Sequence, residues 1–157
     1  MSVLKWSDAL ALGLPFMDDT HREFVTLLAQ VELASNTDVP LRWQELINHT
    51  ESHFAQEDGW MRDTGFASSN CHTQQHEVVL SVMREGAQRA LQGDPGMVRM
   101  MAQELATWFP NHAQTMDAAL ALHLRSVGLD PATGIVHQPA QLPQLPLRGC
   151  GSAACSP

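Results

Sequence analysis

The sequence predicts an all-α fold: an up-down-up-down four-helix bundle with an N-terminal arm and a Pro/Gly-rich C-terminal tail. Four stretches carry apolar residues at helical spacing, each is bounded by Asp, Pro or Gly, and no strand pattern competes with them. Connections of a few residues make antiparallel packing of neighbours the simplest arrangement. With 157 residues, 44% of them hydrophobic and 17% charged, the chain is long enough to bury one core and needs no second domain.

Residues 1–17 are read as an ordered arm, in which Leu10, Leu12, Leu14 and Phe16 alternate and suit an apolar groove. The bundle is expected over residues 18–128. Its first helix starts at Asp18 or Asp19, either of which can cap, and runs through Phe24, Leu27, Leu28, Val31 and Leu33 to Asn36 and Thr37. Asp38 caps a second helix with Pro40 in its first turn, where a missing N–H costs nothing; Leu41, Trp43, Leu46, Ile47, Phe54, Trp60 and Met61 follow, up to Gly65. A third starts near Ser69 and carries Val78, Val79, Leu80, Val82, Met83, Ala87 and Leu91 before Gly93. The fourth has Asp94 as cap, then Met97, Met100, Met101, Leu105, Trp108 and Phe109. It is expected to kink near Pro110, resume, and stop at Gly128. Residues 129–157 are rich in Pro, Gly and small residues and are read as a mostly flexible tail, with Leu142, Leu145 and Leu147 available to dock.

The formal charge of −8 argues against nucleic acid and anionic membranes as partners, because both need a basic surface. The apolar run near the N-terminus is broken by Asp8 and Gly13 and makes a poor signal peptide, and no stretch approaches a membrane span. Cys71, Cys150 and Cys155 form no disulfide framework. A cytoplasmic monomer is therefore expected.

Eight histidines ask for a reason. His53 and Glu57, and His72 and His76, are pairs four residues apart, so on a helix each pair lies about 40° apart around the axis, on one face. The Asp63 to Asn70 turn between them would fold the two faces together. The first helix adds His21 and the fourth adds His112 and Asp117. Five imidazoles and two carboxylates are too many for one tetrahedral zinc. They suit two octahedral-leaning ions with bridging carboxylates, and the mixed nitrogen and oxygen donors place iron ahead of zinc, copper or magnesium. A carboxylate buried in a bundle core is costly unless paired or bound to a metal, which fits Glu57 and Asp117 to that role. His112 and Asp117 are five residues apart, about 140° on a regular helix, so an irregular, π-type turn is expected between Pro110 and Asp117.

Taken with Trp6-Ser7, Met17-Asp18-Asp19-Thr20-His21, His53-Phe54 with Glu57 and Met61, His72-x-x-x-His76, and Trp108 with His112-x-x-x-x-Asp117, the sequence resembles the bacterial hemerythrins over roughly residues 3–127. The resemblance implies a non-haem di-iron, oxygen-binding bundle. It implies that His72, His76 and His112 hold one iron and His21 and His53 the other. Glu57, Asp117 and an oxo or hydroxo group would bridge the pair, in ferrous or ferric form. The second iron then has an open position for dioxygen, with Phe109 as first candidate for an apolar pocket wall and Trp108 and Phe54 behind it.

The remaining candidates take plainer readings. His49, His123 and His137 fall outside the set; Asp58 is expected to be solvated; Met97, Met100, Met101 and Met116 fill core; Cys71 is a free thiol, and Cys150 and Cys155 ride on the tail. The function expected is reversible dioxygen binding for storage, delivery or sensing. A di-iron enzyme acting on dioxygen, peroxide or nitric oxide, or an iron-storage or repair protein, is the alternative.

Overall fold

The computed structural model describes residues 3–66, 71–145 and 147. Helices α1 (Pro15–Leu33), α2 (Val39–Asp63), α3 (Cys71–Leu91) and α4 (Pro95–His112) follow one another, and α4 continues through a π-helical turn (Ala113–Asp117) into α5 (Ala118–Val127). Each helix packs on the next and α1 closes against α4, so four rods enclose one core. The architecture is the four-helix bundle that the apolar periodicity predicts.

Helix ends follow local chemistry, with one correction. The first helix starts at Pro15, with Leu14 at its N-cap, rather than at Asp18 or Asp19. Proline is preset for the first helical position because its fixed φ and absent N–H cost nothing there. Asp18 is instead turned back on the arm, accepting from the amides of Leu12 at 2.7 Å and Gly13 at 3.2 Å. Asp38 stands at the start of α2 but makes no side-chain cap bond; its carboxylate accepts from the Ser35 hydroxyl at 2.7 Å. Asp94 caps α4 as expected, accepting from the Met97 amide at 3.2 Å. Gly128 ends α5 in the left-handed conformation, φ 64°, which a Cβ would penalise. The expected start of the third helix near Ser69 lies outside the described residues.

The core consists of two apolar layers. One contains Phe24, Leu28, Val31, Trp43, Leu46, Met83, Val98, Ala102, Leu105 and Phe109. The other contains Met17, Met61, Phe66, Leu120, Ala121 and Leu124. His21, His53, Glu57, His112 and Asp117 fall between these layers along their own helices, so the polar residues form a slab closed above and below by hydrocarbon.

Several stripe residues read as core are exposed: Leu33, Leu41, Val78, Val82, Leu91 and Met100. The buried line on α3 is His72, His76, Met83, Gly86 and Ala90. Gly86 is on that line because a Cβ there would lie 2.6 Å from the Met101 sulfur and 3.0 Å from Trp43 Nε1. Met101 packs against the core, whereas Met97 and Met100 do not; with Trp43, Val79 and Trp108 the three line an apolar surface groove of about 340 Å³. Met116 is buried as expected.

The arm is pinned from the last helix, with Arg125 donating to the Leu12 carbonyl and Gln114 to that of Ala9. Beyond α5 the described part of the tail, expected to be mostly flexible, is tied by specific bonds; Cys150 and Cys155 lie outside the described residues. Leu129 pairs with Val136, Pro139–Gln141 form a short 3-10 turn, and the Leu147 amide donates to the Gly65 carbonyl at 2.9 Å. Of the leucines expected to dock, Leu142 is half-buried while Leu145 and Leu147 keep exposed side chains. Cys71 is disulfide-bonded, which corrects its reading as a free thiol. With that bond the cysteine argument for a reducing compartment loses its support. Among the described residues no helix is long and apolar enough to cross a membrane.

Candidate metal centre

All seven residues singled out by spacing face the centre of the slab, and all are buried. α1 supplies His21, α2 His53 and Glu57, and α3 His72 and His76, each pair one turn apart on a single face. The last pair needs the π-helical turn. Its i to i+5 bonding widens the turn, so His112 and Asp117 come to the same side and Asp117 Oδ1 lies 3.1 Å from His112 Nε2. The regular period thus breaks at 113–117, while α4 itself runs through Pro110.

The two carboxylates sit between two groups of imidazoles, and their oxygens are divided between them. Glu57 Oε1 lies 3.0 Å from His53 Nε2 and 3.5 Å from His21 Nε2, and Asp117 Oδ2 lies 3.3 Å from His21 Nε2. The opposite oxygens face the other group. Glu57 Oε2 lies 3.5 Å from both His72 and His76, and Asp117 Oδ1 lies 2.9 Å from His72 Nε2. Two overlapping clusters result, Glu57 with His72, His76, His112 and Asp117, and His21 with His53, Glu57 and Asp117; the ligand atoms of each lie within 4.8 Å of one another.

His53 Nε2 is bonded to Glu57 Oε1 and His76 Nε2 to His112 Nε2, but most of these atoms are close without being bonded to each other. Glu57 Oε2, both Asp117 oxygens, and Nε2 of His21 and His72 have no hydrogen-bond partner although they are buried. Leaving a buried polar atom unpaired costs about 1–3 kcal/mol, more when it is charged. Lone pairs that converge without pairing are aimed at a shared third point, and a cation at that point satisfies them all. The residues therefore fit a metal pair.

Without metal, protons serve as the compensating charge. Burial alone would push His21 and His72 down, but the close carboxylates of Asp117 and Glu57 outweigh it and raise them to about 10 and about 9. Burial and the neighbouring Asp117 charge push Glu57 up, and the histidines around it prevail, holding it well below the usual carboxylate range. Asp117 is held low in the same way against its burial, chiefly by His112. Burial lowers His76 despite its bond to Asp58, keeping it a neutral imidazole of the kind a metal needs.

Aromatic side chains surround the centre unequally. Phe109 meets His21 edge-on at 5.3 Å and stacks on Phe24 at 4.6 Å. It therefore walls the two-histidine side, as the sequence suggests. Phe54 lies flat on His76, 3.9 Å between centroids and 7° from parallel, and Trp108 stacks on His112 at 4.3 Å. Trp108 thus belongs to the three-histidine side, and Phe54, which also lies 5.2 Å from the His53 ring, stands between the two.

Sequence reading missed three contributors. Asp58 is not simply solvated: its Oδ1 lies 2.8 Å from His76 Nδ1. Gln75 Oε1 lies 3.0 Å from His112 Nδ1 and 3.2 Å from Trp108 Nε1. Phe24 backs Phe109. For Asp58 and Gln75 the available signal was adjacency, since each is next in sequence to a site residue. The other histidines stand apart from the cluster: His123 Nε2 bonds to Thr64 at the α2 end, and His49 Nε2 pairs with Glu23 at 3.2 Å.

A four-helix bundle with a buried five-histidine, two-carboxylate centre defines a class of cation-binding helical proteins. The comparisons make it specific. The model of the Hemerythrin HHE cation binding domain family matches residues 12–122, and the chain belongs to that family. It is 39% identical over 130 residues to a bacteriohemerythrin of Ralstonia nicotianae, covering 83% of this chain and 95% of the relative. It is 28% identical to that of Stenotrophomonas maltophilia, covering 77% and 81%, and 27% identical to that of Aquifex aeolicus, covering 72% and 91%. No solved structure matches the chain.

Proposed function

We propose that this protein binds dioxygen reversibly at two iron ions, for storage, delivery or sensing, with His72, His76 and His112 holding one ion and His21 and His53 the other. The observation that carries the reading is the division of each carboxylate, with one oxygen of Glu57 and one of Asp117 toward each histidine group. That is the arrangement a pair of bridged ions needs. Family membership supports iron, as does a donor set of imidazole and carboxylate without thiolate.

A ferrous pair would supply the two electrons that oxygen binding draws on. The side chains would do the rest. Three imidazoles would hold one ion and two the other, so an incoming ligand would be directed to the His21 and His53 side. Phe109, 1% exposed, and Phe24, fully buried, back that side with hydrocarbon. They exclude the water and stray protons that would make binding irreversible.

The test is anaerobic loading with iron(II), followed by visible spectra on admitting and then removing oxygen. Two irons per chain and a charge-transfer band that appears and disappears over repeated cycles support the reading. Irreversible bleaching after one cycle contradicts it.

A further inference from the structure

We infer that Asp58 and Gln75 are positioning residues that lace the three-histidine side together and make it the electron-rich half of the centre. The inference rests on the metal-site reading above. It starts from a crossed arrangement of neighbours. Asp58 follows Glu57 on α2, yet it reaches across to His76 on α3; Gln75 precedes His76 on α3, yet it reaches across to His112 on α4. Each residue next to a site residue on one helix thus holds a site residue on the next.

The chemistry follows from the two ring nitrogens. His76 Nε2 faces the cluster, 3.5 Å from Glu57 Oε2 and 3.3 Å from His112 Nε2. A metal there takes the Nε2 lone pair, which leaves the ring proton on Nδ1 to be donated to Asp58. The same logic has His112 Nδ1 donate to Gln75 Oε1, an oxygen that also accepts from Trp108 Nε1. Gln75 therefore fixes a ligand and the indole stacked on it with one atom. Phe54 fixes the plane of His76 from its face. An imidazole that donates to a carboxylate becomes a stronger base toward its metal, and such outer partners typically contribute about 10–100-fold to metal affinity.

The opposite side lacks this lacing. Nδ1 of His21 and of His53 is buried with no hydrogen-bond partner among the described residues; on the three-histidine side only that of His72 is in the same state. Among the described residues, His76 alone of the five imidazoles has a carboxylate behind it, so the added electron density falls on one ion.

Three variants, measured against the wild type, separate charge, bond and structure. Asp58→Asn keeps an acceptor and removes the charge; the expected result is a higher reduction potential with iron retained nearly as in the wild type. Asp58→Ala removes both, and the iron-loaded protein is expected to yield metal to a chelator about 10–100-fold more readily. Gln75→Leu is expected to weaken retention without raising the potential as Asp58→Asn does. Metal-free melting temperatures of all three should match the wild type. An Asp58→Asn potential equal to the wild type, or an Asp58→Ala protein that keeps iron equally well, overturns the inference. A metal-free Asp58→Ala melting temperature lowered as far as that of the loaded form also overturns it, by showing a purely structural contact. Failure of the wild type itself to hold two irons overturns the proposed function instead.

Discussion

The two sides of the centre are built from the same residue types and held in different ways. On the three-histidine side, two of the imidazoles have both a stacked ring and an outer hydrogen-bond acceptor: His76 between Phe54 and Asp58, His112 between Trp108 and Gln75. The third, His72, has no outer acceptor among the described residues, and on the two-histidine side neither His21 nor His53 has one, although both have ring neighbours. The tethers are thus concentrated on His76 and His112. On the proposed reading, the side with fewer imidazoles and the Phe109 wall would be the one to gain and lose a ligand, and function would lie in the unevenness of the site as much as in its ligand count.

Removing what the two sides share should have the largest effect. Glu57→Ala deletes one oxygen facing each ion, and the expected outcome is loss of both metals, read by metal analysis of the purified protein. If the metal binds only the folded bundle, stabilisation at a hundredfold excess over Kd is about 2.7 kcal/mol, and calorimetry of the loaded protein should show that increment gone. Removing one histidine from each side should then expose the difference between them. His53→Ala leaves its ion a single imidazole and should reduce the metal content to one per chain. His76→Ala leaves two imidazoles on its side and should keep both ions, with the second held more weakly in a chelator titration. Equal losses would break the comparison.

Phe109→Leu opens the hydrocarbon wall on one side only. Oxygen-binding capacity should decay several-fold faster over repeated cycles, whereas Trp108→Leu on the other side should change this rate less. The smallest effect is on pH dependence. In the metal-free protein His21 and His72 sit near 10 and 9, above the 6.5 of an ordinary histidine. Their protonated forms stabilise the metal-free fold fully below pH 6.5, and that contribution is lost as pH rises through about 9 to 10. Metal replaces those protons, so thermal melts of the loaded protein should lack this alkaline loss and instead show metal release in acid.

The buried histidine and carboxylate cluster was legible because helical geometry converts spacing into direction. Four-residue gaps put His53 with Glu57 and His72 with His76, and the awkward five-residue gap from His112 to Asp117 announced the irregular turn found at 113–117. What was not legible depends on contacts between helices. Asp58 points about 100° away from Glu57 on its own helix, which reads as solvent until α3 is packed beside it. Gln75 is polar among polar neighbours and has no period to betray it. Asp18 resembles a helix cap, but its carboxylate is committed to the arm that α1 grows out of. Val78 and Val82 resemble core because they are apolar, and they are exposed because Gly86 and Trp43 set which face of α3 turns inward. The tail reads as flexible from its prolines, yet the amide of Leu147 and the ring of Pro143 find Gly65.

The most direct test of the account is anomalous diffraction at the iron edge from crystals of the anaerobically loaded protein. Two peaks are expected, one among His72, His76 and His112 and one between His21 and His53, both within bonding distance of Glu57 and Asp117. A single peak, or two peaks with either carboxylate turned away from one of them, would contradict it.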